Sequence, residues 1–291
     1  MPFARFADVV RRDPILLAAQ LTLASLLLAP IGDYELRAAA LLLAVAGLLA
    51  PRLAASAALW LALAALAAAR IALDWPLSDN HAYLLGYWCL GLGLAFAAGA
   101  PAAPEAAARL ARTARLLVGL VFALATLQKL VSPDYLDDTF FRYAIAVDDR
   151  FEPLGRLLGR SDEALAQSRS LLEAPPWTLP PPGAAFVETP ALRAAASLFT
   201  LATLALEAAV ALAFLLPARR IPAWLRDASL LVFCAATYAI APVAGFGWLL
   251  LALGVAQTEP ARSRARGVYL AGFALLLVYR ELPWLELVAA S

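Results

Sequence analysis

Charge, cysteine, lysine and histidine are all scarce in this chain, and each scarcity closes off a class of function. Charged residues make up 15% of the 291 residues, where a soluble domain carries about a quarter. Hydrophobic residues reach 63%, with a mean hydropathy of +0.77. That balance excludes a water-soluble globular enzyme and a disordered protein. The 23 basic and 22 acidic residues leave a formal charge of +1, so no basic field exists to attract nucleic acid. The two cysteines, Cys89 and Cys234, lie in separate apolar runs without a CxxC partner. A zinc site, a haem-attachment motif and a disulfide framework are therefore not expected, and both thiols read as small buried hydrophobes. No Walker loop, GxGxxG turn, HExxH helix or serine-nucleophile motif occurs. Arginine fills every basic position but one, Lys129, and the sole histidine is His81. Arginine serves wherever charge alone is needed, so these two singletons are the first candidates for chemistry.

What the chain has instead is apolar length. A helix needs about 20 apolar residues to cross the hydrocarbon core at about 1.5 Å per residue. Runs of that order lie at 14–29, 36–50, 53–73, 81–100, 116–131, 191–216, 228–241, 245–256 and 268–279. The first lacks a small-residue cleavage site and reads as a retained helix rather than a signal peptide. The pattern predicts an all-α polytopic membrane bundle of about nine transmembrane helices, within a range of about eight to ten, forming one domain over 1–291 with no internal repeat.

Arginine placement gives an independent reading, because short cytoplasmic loops collect Lys and Arg. With the N-terminus cytoplasmic, 13 arginines fall inside and only Arg37, Arg70, Arg193 and Arg280 outside the one long connection fall on the other face. That connection, 132–190, lies outside in this orientation. Within it Leu154, Leu158, Leu165 and Leu172 recur near helical spacing. They predict an amphipathic helix, either lying on the outer membrane face or packed on the loop below. Residues 174–183 are too rich in proline for a helix and read as an extended re-entry strap with Trp177 at the interface.

Two segments carry candidate chemistry. Asp79-Asn80-His81-Ala82-Tyr83 opens the fourth run, with Asp79 or Asn80 placed to cap the helix and Trp75, Tyr83, Tyr87 and Trp88 nearby. An interfacial aromatic belt explains these residues as well as a site does. Gln128-Lys129-Leu130 closes the fifth run just before Pro133. A lysine there either snorkels to the surface or supplies an amine whose charge burial can remove, which a guanidinium cannot do. Glu207, inside the sixth run, should face the bundle interior and pair with Lys129 or a hydroxyl such as Thr203, or hold two helices together.

The pattern Asn80-His81-x-Tyr83-Leu84-x-Gly86, followed by Gln128-Lys129-Leu130 and Asp134-Tyr135-Leu136, resembles the transmembrane core of the vitamin K-dependent gamma-carboxylases, the HTTM domain. The resemblance implies a base role for Lys129 and a supporting polar role for His81, with Asn80, Tyr83, Tyr135 and Glu207 around a substrate. Tyr135 stands where the family has tryptophan, and Thr237 and Tyr238 lie where a later histidine would fall. The large outer domain that follows the membrane core in true carboxylases does not fit in these residues. Glutamate carboxylation is therefore not expected. The resemblance implies instead an inner-membrane, multi-pass protein with an outward-facing pocket between the fourth, fifth and sixth runs, taking a quinone-like or other lipophilic molecule and using Lys129 as base. No nucleic-acid partner is expected. The reading from another class is a non-enzymatic membrane subunit or scaffold.

Overall fold

The computed structural model describes residues 13–32, 34–100, 103–172, 188–217, 219–240, 243–259 and 262–282. These residues are helical with no strand among them. Each of the nine apolar runs is a helix: α1 (Pro14–Leu28), α2 (Tyr34–Leu49), the short α3 (Pro51–Ala54) with α4 (Ala57–Asp74), α5 (Asn80–Ala97) and α6 (Pro104–Val131), then α11 (Pro190–Leu215), α12 (Ala223–Ile240), α13 (Ala244–Ala256) and α14 (Ser263–Glu281). The intervening cap comprises α7 (Pro133–Leu136), α8 (Thr139–Val147), the 3-10 turn Asp149–Phe151, α9 (Glu152–Leu157) and α10 (Asp162–Leu172).

Among the described residues, four helices, α4, α6, α11 and α12, are long and apolar enough to cross a membrane by length and composition. The other runs are helices that do not meet that length and composition, and α13 is one of them. Thirteen residues rise only about 20 Å. Its side chains from Trp248 to Ala256 are all buried, against α1, α6 and α14. A helix that is apolar all round belongs in a core rather than against solvent, and α13 is the centre around which the bundle is wound. The outer surface keeps its own apolar side chains, among them Leu42, Leu94, Leu124, Leu201, Leu212 and Leu275, each more than half exposed.

Antiparallel packing of α6 on α11 sets the register of the site. Gly119 allows it: a Cβ there would stand 2.6 Å from Leu215 Cδ2. Lower down the same pair, Phe122 packs edge-on to Phe233 of α12, with ring centroids 4.5 Å apart.

The expected long amphipathic helix is instead two helices. Gly159, at φ +82°, ends α9 in a left-handed turn, and α10 folds back so that Leu165 is 3% exposed beside Gly155. Leu154 and Leu158 pack toward a second core made by Tyr135, Phe141, Ile145, Phe151, Leu192 and Ala196. The segment is therefore a cap packed on the bundle, held by ion pairs of Arg169 with Asp149 and Glu152 and of Arg142 and Arg193 with Glu188. Leucines bury inward because the cap offers an apolar floor on α11. The re-entry strap with Trp177, the N-terminal arginines and the side chain of Leu172 lie outside the described residues.

Candidate functional site

Lys129 and Glu207 form the centre of the site. Ser132 donates its N–H to the Lys129 carbonyl, and Pro133 opens α7, so α6 stops two residues after the lysine. Lys129 Nζ donates to both oxygens of Glu207, at 2.9 and 2.8 Å. The carboxylate is 9% exposed and the lysine side chain 22%. Glu207 thus faces protein as expected and has found the lysine. The turn at Ser132 also folds Tyr135 back, leaving Lys129 Nζ 5.4 Å from its ring centroid, within cation–π range. Tyr135 stacks on Phe140 at 5.2 Å and meets Phe141 edge-on at 5.6 Å. Its hydroxyl lies near Thr203 but makes no hydrogen bond of ordinary geometry among the described residues. Burial, reinforced by the negative Glu207, pushes the phenol well above its ordinary value, so it stays a protonated donor.

A cavity of about 310 Å³ opens beside the carboxylate. Phe199, Thr203 and Glu207 of α11 line it together because residues four apart share a helix face. Phe233 and Thr237 of α12 form the opposite wall, and Phe141 and Phe151 of the cap form the roof. The outcome differs from the expected pocket between the fourth, fifth and sixth runs: the cavity lies between the sixth run, the seventh and the cap. Its wall is apolar except for one carboxylate and two threonine hydroxyls. An acidic hydroxyl entering it would meet a proton acceptor in Glu207 and, beside it, a cation able to stabilise the resulting oxyanion.

His81 lies elsewhere. It lines a second cavity, of about 240 Å³, with Ser25, Arg70, Asp74, Asp79 and Gly245, and Lys129 is not among the lining residues. The expectation that His81 and Lys129 share one pocket is thus not met. His81 Nε2 stands 3.8 Å from Asp79, and its ring lies 6.4 Å from that of Phe246. Phe246 in turn lies 6.1 Å from Phe122, whose other neighbour Phe233 lines the first cavity. A row of rings therefore runs from one cavity to the other. Asp79 sits at the N-cap of α5 without a side-chain cap bond, and Asn80 does not cap either: its Nδ2 donates to Gln128 Oε1 at 3.2 Å, tying α5 to the end of α6. Tyr83 is half-buried and lines neither cavity. Trp88, expected in an interfacial belt, is buried and donates to Thr22 Oγ1 at 2.9 Å, whereas Trp75 and Tyr87 are exposed.

Sequence reasoning missed Phe141, Phe151 and Phe199, whereas Thr237, noted at the position of the family's later histidine, does line the cavity. The spacing of Phe199, Thr203 and Glu207 was a usable signal, but nothing local says that a cap phenylalanine closes over α11. No group of three or more His, Cys, Asp or Glu side chains that could hold a metal occurs among the described residues. No protein-family model, curated protein or solved structure matches the chain.

Proposed function

We propose that this chain is an HTTM-like integral protein of the cell inner membrane, with its N-terminus cytoplasmic, its cap outside, and a quinone-like or similarly lipophilic molecule bound in the cavity beside Glu207. The observation that carries this reading is a carboxylate, Glu207, at the wall of an otherwise apolar, aromatic-lined cavity, ion-paired to Lys129 behind it. Buried charge is costly, and a site that keeps it beside apolar space suits a ligand with a greasy body and one ionisable group. The arginine bias and four membrane-length helices support the orientation and location. Lys129 and Glu207 act as one unit: the carboxylate takes the ligand's proton while the ammonium, hydrogen-bonded to that carboxylate, offsets the charge that develops.

The bidentate contact also favours a second reading, a non-enzymatic membrane subunit in which the pair only clamps α6 to α11. Lipids and quinones co-purifying with the wild type, identified by mass spectrometry, test the first. A lipophilic compound with an ionisable hydroxyl, retained by the wild type and lost from a stably folded Glu207→Gln variant, is the expected result. An identical lipid profile in the two proteins would leave the clamp. Lys129→Arg sharpens the choice, since arginine keeps the ion pair but not the lysine geometry.

A further inference from the structure

A second polar centre lies along α6 toward its N-terminal half, about 21 Å from Lys129 along the axis, since Arg115 precedes it by 14 residues. Four helices converge there. Asp227 of α12, 6% exposed, accepts from Gln257 Nε2 at 2.6 Å, from the Tyr269 hydroxyl at 2.9 Å and from Arg262 Nη2 at 2.6 Å. Arg226, 5% exposed, donates only its Nε, to Gln257 Oε1 at 2.9 Å, and makes no ion pair among the described residues. Arg115 reaches the Gln257 carbonyl at 3.4 Å, and its Nε is buried without a partner. Arg115 and Arg262 are both within electrostatic reach of Arg226.

Three guanidinium groups therefore gather around Gln257 and the one carboxylate it touches, Asp227. The carboxylate already accepts three hydrogen bonds, so it has little left to give the other cations. The site therefore carries more positive than negative charge around Arg226, which is 5% exposed, and an anion would relieve that excess. Unused guanidinium donors in forks are what a tetrahedral oxyanion takes up best. Trp224 and Leu225, beside Arg226 in sequence, and Leu212 and Leu116 on the adjoining helices are exposed, so an anion here would have apolar side chains beside it.

We propose that Arg115, Arg226 and Arg262 form a binding site for the phosphate of an anionic phospholipid. The positive excess rejects a zwitterionic headgroup, whose own cation would meet the arginines. The inference rests on the membrane reading above but not on the cavity beside Glu207, so the two fail separately.

The test adds phosphatidylglycerol, phosphatidylcholine or inorganic phosphate, at equal phosphate concentration, to the purified full chain in uncharged detergent, and follows thermal unfolding. Phosphatidylglycerol should raise the midpoint while the other two leave it in place. In Arg115→Gln the half-saturating phosphatidylglycerol concentration should rise about tenfold, the loss of one charge-assisted bond. This variant keeps all three partners of Asp227 and so remains informative if Arg262→Gln does not fold. Arg109→Gln, which removes an exposed arginine from the same helix, should match the wild type. No response to phosphatidylglycerol, an equal response to inorganic phosphate, or an unchanged half-saturation in Arg115→Gln would each overturn the proposal.

Discussion

Removing one member of the Lys129–Glu207 pair should be more damaging than removing both, most of all when the lysine goes. Two unit charges 2.8 Å apart attract by about 6 kcal/mol at an effective dielectric of about 20. Desolvation of the two ions takes back several kcal/mol each, so the intact pair contributes little net stability. Deleting one partner changes that balance, because the desolvation of the survivor is then unopposed. The survivors differ. With Lys129→Met, Glu207 is left as a 9% exposed carboxylate fixed in mid-helix, and the loss should be about 3 kcal/mol. With Glu207→Gln, the lysine is already 22% exposed on a flexible stem near a helix end and can turn toward water, so about 1–2 kcal/mol is expected. The double variant should lose about 1 kcal/mol or less. Equilibrium unfolding of the four proteins in mixed micelles gives the coupling energy, expected at about 3–4 kcal/mol. Additive losses, within about 0.5 kcal/mol, would show that the two charges do not meet in the folded protein and would refute the reasoning.

Three further outcomes follow from the cap and its surroundings. Leu165→Ala should destabilise the packing of α10 on α9 by about 2–4 kcal/mol, read as faster amide exchange confined to the cap. Glu188, whose carboxyl is held below its ordinary value by hydrogen bonds from Arg193 and then Arg142, contributes stability that is present above the ordinary carboxylate range and disappears as pH falls through it. The gap in melting temperature between wild type and Glu188→Gln should therefore shrink between pH 6 and pH 3; a constant gap would remove the electrostatic explanation. A cysteine at Asp162, whose side chain is 72% exposed, should react with an impermeant thiol reagent on intact cells, while buried Cys89 and Cys234 stay silent. Labelling only after lysis would reverse the orientation.

Much of the helical framework was legible because its signal is local. Continuous apolar length marks α1, α11 and the other runs without reference to neighbours, and Pro133 announces where α6 stops. The burial of Glu207 was legible for the same reason: a carboxylate in the middle of an apolar helix has to turn inward wherever the helix goes. The singletons Lys129 and His81 were equally visible, but their relation was not. Both sit near one end of neighbouring helices, and the sequence contains nothing about which way each side chain rotates around its own axis.

Composition and periodicity by themselves determined that the chain is a helical bundle, that its ionisable residues are few, and that Glu207 must find a partner. The tertiary structure decided the rest. The register of α6 on α11, set by the close approach at Gly119, put Lys129 rather than a hydroxyl opposite Glu207. The rotation of α5 turned His81 toward Phe246 and away from that pair. The fold-back at Gly159 made a roof from residues whose spacing suggested a surface helix. Helical periodicity fixes which residues share a face, but which faces meet depends on packing between segments far apart in sequence.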